Sequence, residues 1–171
     1  MGEHALALLG GCGGHLHADG YSGFNGLYAA DAATGELRLR EVACWSHARR
    51  KLYEVHVGTG SAAAKQALDL IGALFDIEAD IKGRSPPERL AARRQRTVPL
   101  LDGLRALLDA TLARISAKTT LAGAIRYATS RWQALTRFAH DGRLEISNNA
   151  AERAIRPLAG VESLCPSSSS V

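Results

Sequence analysis

Glu36-Leu37-Arg38-Leu39-Arg40-Glu41-Val42-Ala43-Cys44 runs straight into Trp45-Ser46-His47-Ala48-Arg49-Arg50-Lys51, and the join between them decides the fold. Up to Val42, charged and apolar side chains alternate, the period of a strand with one buried face. From Trp45 onward the apolar residues recur every three to four positions, and they do so almost to the end of the chain. The sheet therefore lies wholly at the front. Upstream, His15-Leu16-His17-Ala18-Asp19 alternates in the same way behind the run Gly10-Gly11-Cys12-Gly13-Gly14, which predicts a short strand ending at Asp19. Residues 20–28 mix glycines with aromatics, a loop or weak helix, and 31–35 form a turn.

Downstream, a helix over 46–56 carries Ala48, Leu52 and Val55 on one face, and Gly58-Thr59-Gly60 breaks it. Ser61 can cap a longer helix to Ile81 that turns Leu68, Ile71, Leu74, Phe75 and Ile81 inward. Ser85-Pro86-Pro87 places prolines where a helix begins. The surrounding stretch 82–96, rich in arginine, reads as a solvated face. Pro99 opens a helix bearing Leu100, Leu104, Leu107, Leu108, Leu112 and Ile115, and residues 120–138 form a single partner helix with Leu121, Ile125, Ala128, Trp132 and Leu135. After a turn at His140-Asp141-Gly142 and a brief extended piece at Leu144-Glu145-Ile146, Ser147 caps a helix from Asn148 to Arg156, ended by Pro157. Residues 160–171, closing on four serines, have neither period nor packing face and are expected to be disordered.

With 171 residues, 46% hydrophobic and 22% charged, the chain is globular, and one domain is the natural count. No apolar run approaches the roughly 20 residues of a bilayer span, and the start lacks a signal peptide, so a soluble cytoplasmic protein is expected. Cys12, Cys44 and Cys165 are an odd, widely spaced set, which excludes a disulfide scaffold. The net charge of +4 permits a polyanionic partner. Of the 21 cations only Lys51, Lys65, Lys82 and Lys118 are lysine. The arginine excess suits phosphate oxygens, which the planar guanidinium grips in pairs, and equally fits a codon bias. Neither a phosphate-binding glycine loop nor a serine-nucleophile elbow is present.

Asp19, at the carboxyl end of a strand, and Glu152, on a late helix, are two carboxylates that can share a divalent cation only if the fold brings them together across 133 positions. Taken singly, each reads as a surface charge. Helical spacing sets Asn149, Glu152, Arg153 and Arg156 on neighbouring faces, which offers an acid, an amide and two guanidiniums in one patch; an ordinary capped helix with Glu152 paired to Arg156 fits the same residues. Arg49-Arg50-Lys51 at a helix start is a phosphate-contact candidate. Cys44 and His47 have the spacing of half a zinc site, to which His15 or His17 could add, but no second pair accompanies them.

Three stretches, His17 to Asn25, Val42 to Lys51 and Asp141 to Pro157, together resemble in order and spacing the transposase of the insertion-sequence-66 family. The resemblance implies an α/β fold that is mostly helical overall: a truncated ribonuclease-H-like core with a large all-helical insertion. It divides the chain into a partial sheet (1–44), the helical insertion (45–140), a helix returning to the core (141–159) and a tail (160–171) that looks frameshifted. It further implies an Asp-Asp-Glu site for DNA transposition, with Asp19 as the second aspartate and Glu152 as the glutamate. Two Mg²⁺ (or Mn²⁺) ions would be held by the complete triad, and Arg49, Arg50, Lys51, Asn149, Arg153 and Arg156 would contact DNA. The implied partners are the DNA terminal repeats of the element, a second copy of the chain and accessory proteins of the same element. The family's first aspartate precedes the stretch that matches here, so the isolated chain is expected to be inactive in strand transfer. Two other classes remain open: a non-catalytic DNA-binding remnant using residues 84–96 and 49–51, and a Cys/His metal-binding helical module.

Overall fold

The computed structural model describes residues 12–18, 26–29 and 38–149. Strands β1 (Gly14–Ala18) and β2 (Leu39–Ala43) pair in parallel, with His15 opposite Arg40 and His17 opposite Val42. Parallel neighbours require a crossover connection. Of that connection a short 3-10 turn at 26–28 is described, with Leu27 buried. In β2, Arg40 is exposed while Val42 and Ala43 are both buried, so the carboxyl end of the strand is covered on both faces.

Cys44, in extended conformation, turns the chain into α1 (Trp45–Thr59), which buries Trp45, Ala48, Leu52 and Val55, the face expected from the spacing. Gly60 ends it with φ +67° and returns its N–H to the His56 carbonyl at 2.8 Å, a left-handed cap that glycine adopts without strain. The Ser61 hydroxyl accepts from the Ala64 N–H at 3.3 Å and opens α2 (Ala62–Asp80), whose Leu68, Ile71 and Leu74 are buried. Each such side chain stabilises by about 1.5–3 kcal/mol. Then α3 (Pro86–Ala92) begins behind Ser85, whose N–H donates to the Glu88 carboxylate at 2.9 Å.

Pro99 does not open a separate helix. The helix continues from α3 through a π turn (Arg93–Thr97) into α4 (Val98–Leu112). Pro99 has no N–H for the Gln95 carbonyl, and the wider turn just before it, closed by the Val98 N–H on the Arg93 carbonyl, takes up the mismatch. Residues 120–138 are not one helix either. They divide into α5 (Thr120–Ser130), α6 (Trp132–Thr136) and a 3-10 turn (Arg137–His140). At the break, the Arg131 guanidinium reaches the Glu41 carboxylate at 2.8 Å, and just beyond it the Trp45 ring N–H donates to the Leu135 carbonyl at 2.8 Å, so contacts with β2 and α1 override the local period. Trp45 also meets the Trp132 ring edge-on at 5.8 Å.

The basic stretch is not uniformly solvated. Arg93 is fully buried, and all five of its N–H groups are used. Two bind Glu78 at 2.8 and 2.6 Å; the others reach the carbonyls of Phe138, Asp141 and Leu144 at 2.8–2.9 Å. Arg89 adds a bond to the Leu144 carbonyl and an ion pair with Glu145 at 2.8 Å. Gly142 rests so closely on Pro86 that a Cβ there would overlap the Pro86 carbonyl. The predicted helix to Arg156 starts at Asn149; its remainder, the strand end at Asp19, the turn at 31–35 and the tail 160–171 lie outside the described residues.

Candidate active site

The site is built where the carboxyl ends of β1 and β2 meet the returning segment 141–149. Arg93 and Arg89 take hold of the carbonyls of this segment as it leaves the helical block, and the segment then runs along β1. His15 feels the Asp141 carboxylate, and two residues further on His17 Nε2 hydrogen-bonds the Glu145 carbonyl at 2.8 Å. The Trp45 N–H then donates to the Ile146 carbonyl at 3.1 Å, and the Asn149 side-chain amide donates to Ser46 Oγ at 2.9 Å. The segment thus advances in the direction of β1, towards its carboxyl end. Burial pushes the His17 imidazole pKa below its ordinary value, against the opposing pull of the Glu145 carbonyl and carboxylate. His15 is lowered too, first by burial and then by Arg137, Arg40 and Arg143, with Asp141 opposing.

Of the residues singled out from sequence, Asn149 stands at this junction, tied to the first turn of α1. Arg49 and Arg50 are exposed on α1 and line a groove with Ser46, Tyr53, Asp76 and Asn149. Lys51 does not join them. Its ammonium lies 4.7 Å from the centre of the Tyr127 ring, on the side of α1 that faces α5, so the basic triplet is divided between two faces. Asp19, Glu152, Arg153 and Arg156 lie outside the described residues. Cys44 is buried and its carbonyl accepts from the His47 and Ala48 N–H groups at 3.2 and 3.4 Å, which makes it a helix-starting residue. Among the described residues no group of three or more His, Cys, Asp or Glu could hold a metal ion, so His15, His17, Cys44 and His47 do not form a zinc cluster. Also among the described residues, no helix is long and apolar enough to cross a membrane.

The buried Arg93 was not found by the sequence reading. Its only local sign is an arginine at the joint of two helices, and its partners lie 15 to 51 residues away.

Residues 1–162 match the family described as Transposase IS66 family. The chain belongs to this family. It is 39% identical over 150 residues to uncharacterized protein y4qI of Sinorhizobium fredii (strain NBRC 101917 / NGR234), covering 87% of this chain and 28% of that protein. Uncharacterized protein y4hP of the same strain is 36% identical over 170 residues, covering 92% of this chain and 30% of the relative. The IS66-family chain therefore spans under a third of the length of these curated relatives. No solved structure matches it significantly.

Proposed function

We propose that this chain is the part of a DNA transposase that supplies two carboxylates, Asp19 and Glu152, of a metal-dependent phosphoryl-transfer site on a ribonuclease-H-like core. One observation carries the reading: the bond from His17 to the Glu145 carbonyl, by which the returning segment is laid along β1. Alternation puts Asp19 on the same face as His15 and His17 if β1 is extended by one residue. On the other side, Glu152 follows Asn149, which is tied to Ser46. The parallel pairing of β1 and β2 and the long helical excursion between β2 and the returning segment also fit such a core. The relatives being far longer, cleavage and strand transfer are proposed for a protein of that length, and metal and DNA binding for this chain.

The donor set fits a hard cation. Two carboxylates offer oxygen only, which suits Mg²⁺ or Mn²⁺ rather than a thiolate-seeking ion. A divalent cation held there supplies Lewis-acid activation of a water or 3′-hydroxyl and stabilisation of the leaving oxygen. The chain's own part is to bring the two acids together and to hold DNA. Arg49 and Arg50 present exposed guanidiniums to phosphate oxygens, Asn149 ties the returning segment to Ser46, and Arg153 and Arg156 follow in the sequence as further phosphate contacts.

The test is Mn²⁺ binding followed by electron paramagnetic resonance on the whole chain. Wild type is expected to bind, and Asp19→Asn and Glu152→Gln each to weaken binding by about tenfold or more, on the scale of lost ligand support. Equal binding by all three proteins overturns the assignment.

A further inference from the structure

A second cationic feature lies away from the groove of Arg49 and Arg50. It is an open basin between the sheet and the end of the helical block, lined by His15 of β1, Arg40 and Glu41 of β2, and Arg131, Arg137 and Arg143. Four guanidiniums face two carboxylates there, Glu41 and Asp141. The acids are already engaged, and engaged in a way that fixes the cations. Glu41 Oε1 accepts from Arg131 at 2.8 Å, the Glu41 carbonyl accepts from Arg137 at 3.0 Å, and Asp141 accepts from Arg143 at 2.6 Å. Arg40 is exposed and has no ion-pair partner among the described residues.

The crowding is strong enough to be felt within the cluster. Arg137 is pushed below its ordinary pKa, first by burial and then by the charge of Arg40, with Glu41 opposing. Like charges held this close, with a deficit of acid, are stabilised by an anion from outside. The anion must be large or extended, because the basin is open and its guanidiniums come from β2, the 3-10 turn at 137–140 and two connecting turns.

We propose that this basin holds the phosphodiester backbone of duplex DNA. Arg40 and Arg137 make direct phosphate contacts, and Arg131 and Arg143 border the track. The choice of DNA rests on the transposase reading above. His15 precedes Asp19 by four residues in the sequence, so at most about 13 Å of chain separates the basin from the proposed catalytic end. DNA crossing it would be led along the sheet to the metal site. The basin is thus distinct from the Arg49 and Arg50 groove and would fix the direction in which the duplex enters.

The experiment is fluorescence anisotropy of a labelled random-sequence duplex with the whole chain, at salt concentrations from about 50 to 200 mM. Arg40→Gln and Arg137→Gln are each expected to weaken binding and to reduce the slope of log affinity against log salt by about 1. Arg40→Lys should keep most of the affinity, and Arg114→Gln, exposed and outside the lining of the basin, should leave the slope unchanged. Should Arg137→Gln fail to fold, as judged by circular dichroism, Arg40→Gln decides, since that side chain is exposed. Unchanged slopes in the glutamine variants overturn the proposal, as does a wild-type chain that does not bind the duplex. In either case the Mn²⁺ titration of the Asp19 and Glu152 variants judges the catalytic reading separately.

Discussion

The stretch from Arg84 to Arg96 and the pair Arg49-Arg50 look alike in sequence, yet the fold uses them in opposite ways. In the first, Arg93 is sealed in the core, Arg89 is mostly covered, and Arg96 is paired with Asp80 at 2.7 Å. In the second, both guanidiniums stand in solvent with no ion-pair partner among the described residues. Arg84 and Arg94 of the first stretch are also exposed, so it keeps two of its five guanidiniums open while the pair on α1 keeps both. Charge counted along a chain measures opportunity, and what decides is whether acids and carbonyls of the same chain have already claimed it.

The largest effect should come from breaking the buried side of this comparison. Arg93→Met leaves buried Glu78 with only the 3.5 Å contact to Arg89 and takes one donor from each of three carbonyls, and it should cost about 3–5 kcal/mol, read as a fall in the urea midpoint. A loss under about 1 kcal/mol would mean that Arg93 is not the fastener described here.

Gly142→Ala is expected next. The added methyl meets the Pro86 backbone, which cannot swing away as a side chain would, so the returning segment must lift from α3 at a cost of about 1–3 kcal/mol. Because the same segment ties to His17, exchange protection of the amides at 144–146 should drop along with the melting temperature. Retained protection would show that Arg93 and His17 hold the segment without its seat on Pro86.

On the exposed side, Arg49→Gln with Arg50→Gln should leave stability within about 0.5 kcal/mol of wild type while lowering the salt slope of duplex binding by about 2. A stability loss comparable to that of Arg93→Met would erase the contrast between the two arginine groups.

The smallest effect concerns acid. The Asp141 carboxyl is held well below its ordinary value, chiefly by hydrogen bonds from the Arg143 side chain and N–H. Its pKa being lower in the folded state, its contribution is present above about pH 4 and is lost as pH falls below that. Arg143 is largely exposed, so the effect is small and screened by salt. Comparing wild type with Asp141→Asn between about pH 5 and 2 should show the two stability curves converging as acid is added.

Sequence period located both strands and α1 with its buried face, and capping and proline signals located the Ser61 start of α2 and the start of α3. These depend on neighbours a few residues apart. What it did not reveal depends on partners far along the chain. The break at Arg131 is set by Glu41, 90 residues earlier, and by the Trp45 bond to Leu135. The parallel register of the strands has no local signal, and Lys51 left the basic triplet because Tyr127 was there to receive it. At the site, the family's motifs marked Asp19, Asn149 and Glu152, whereas the bond from His17 to the Glu145 carbonyl spans 128 positions and could only come from the fold.

The π turn at Arg93–Thr97 holds one residue more than an α-helical path would need. Removing Gln95 from it would restore an ordinary α turn and bring the Pro99 ring against the carbonyl one turn back, at a cost of about 3 kcal/mol. The exposed positions Arg94, Gln95 and Arg96 should accept many substitutions and tolerate deletion poorly, an asymmetry that a library of single-residue deletions across 86–112, scored for soluble protein, would expose at once.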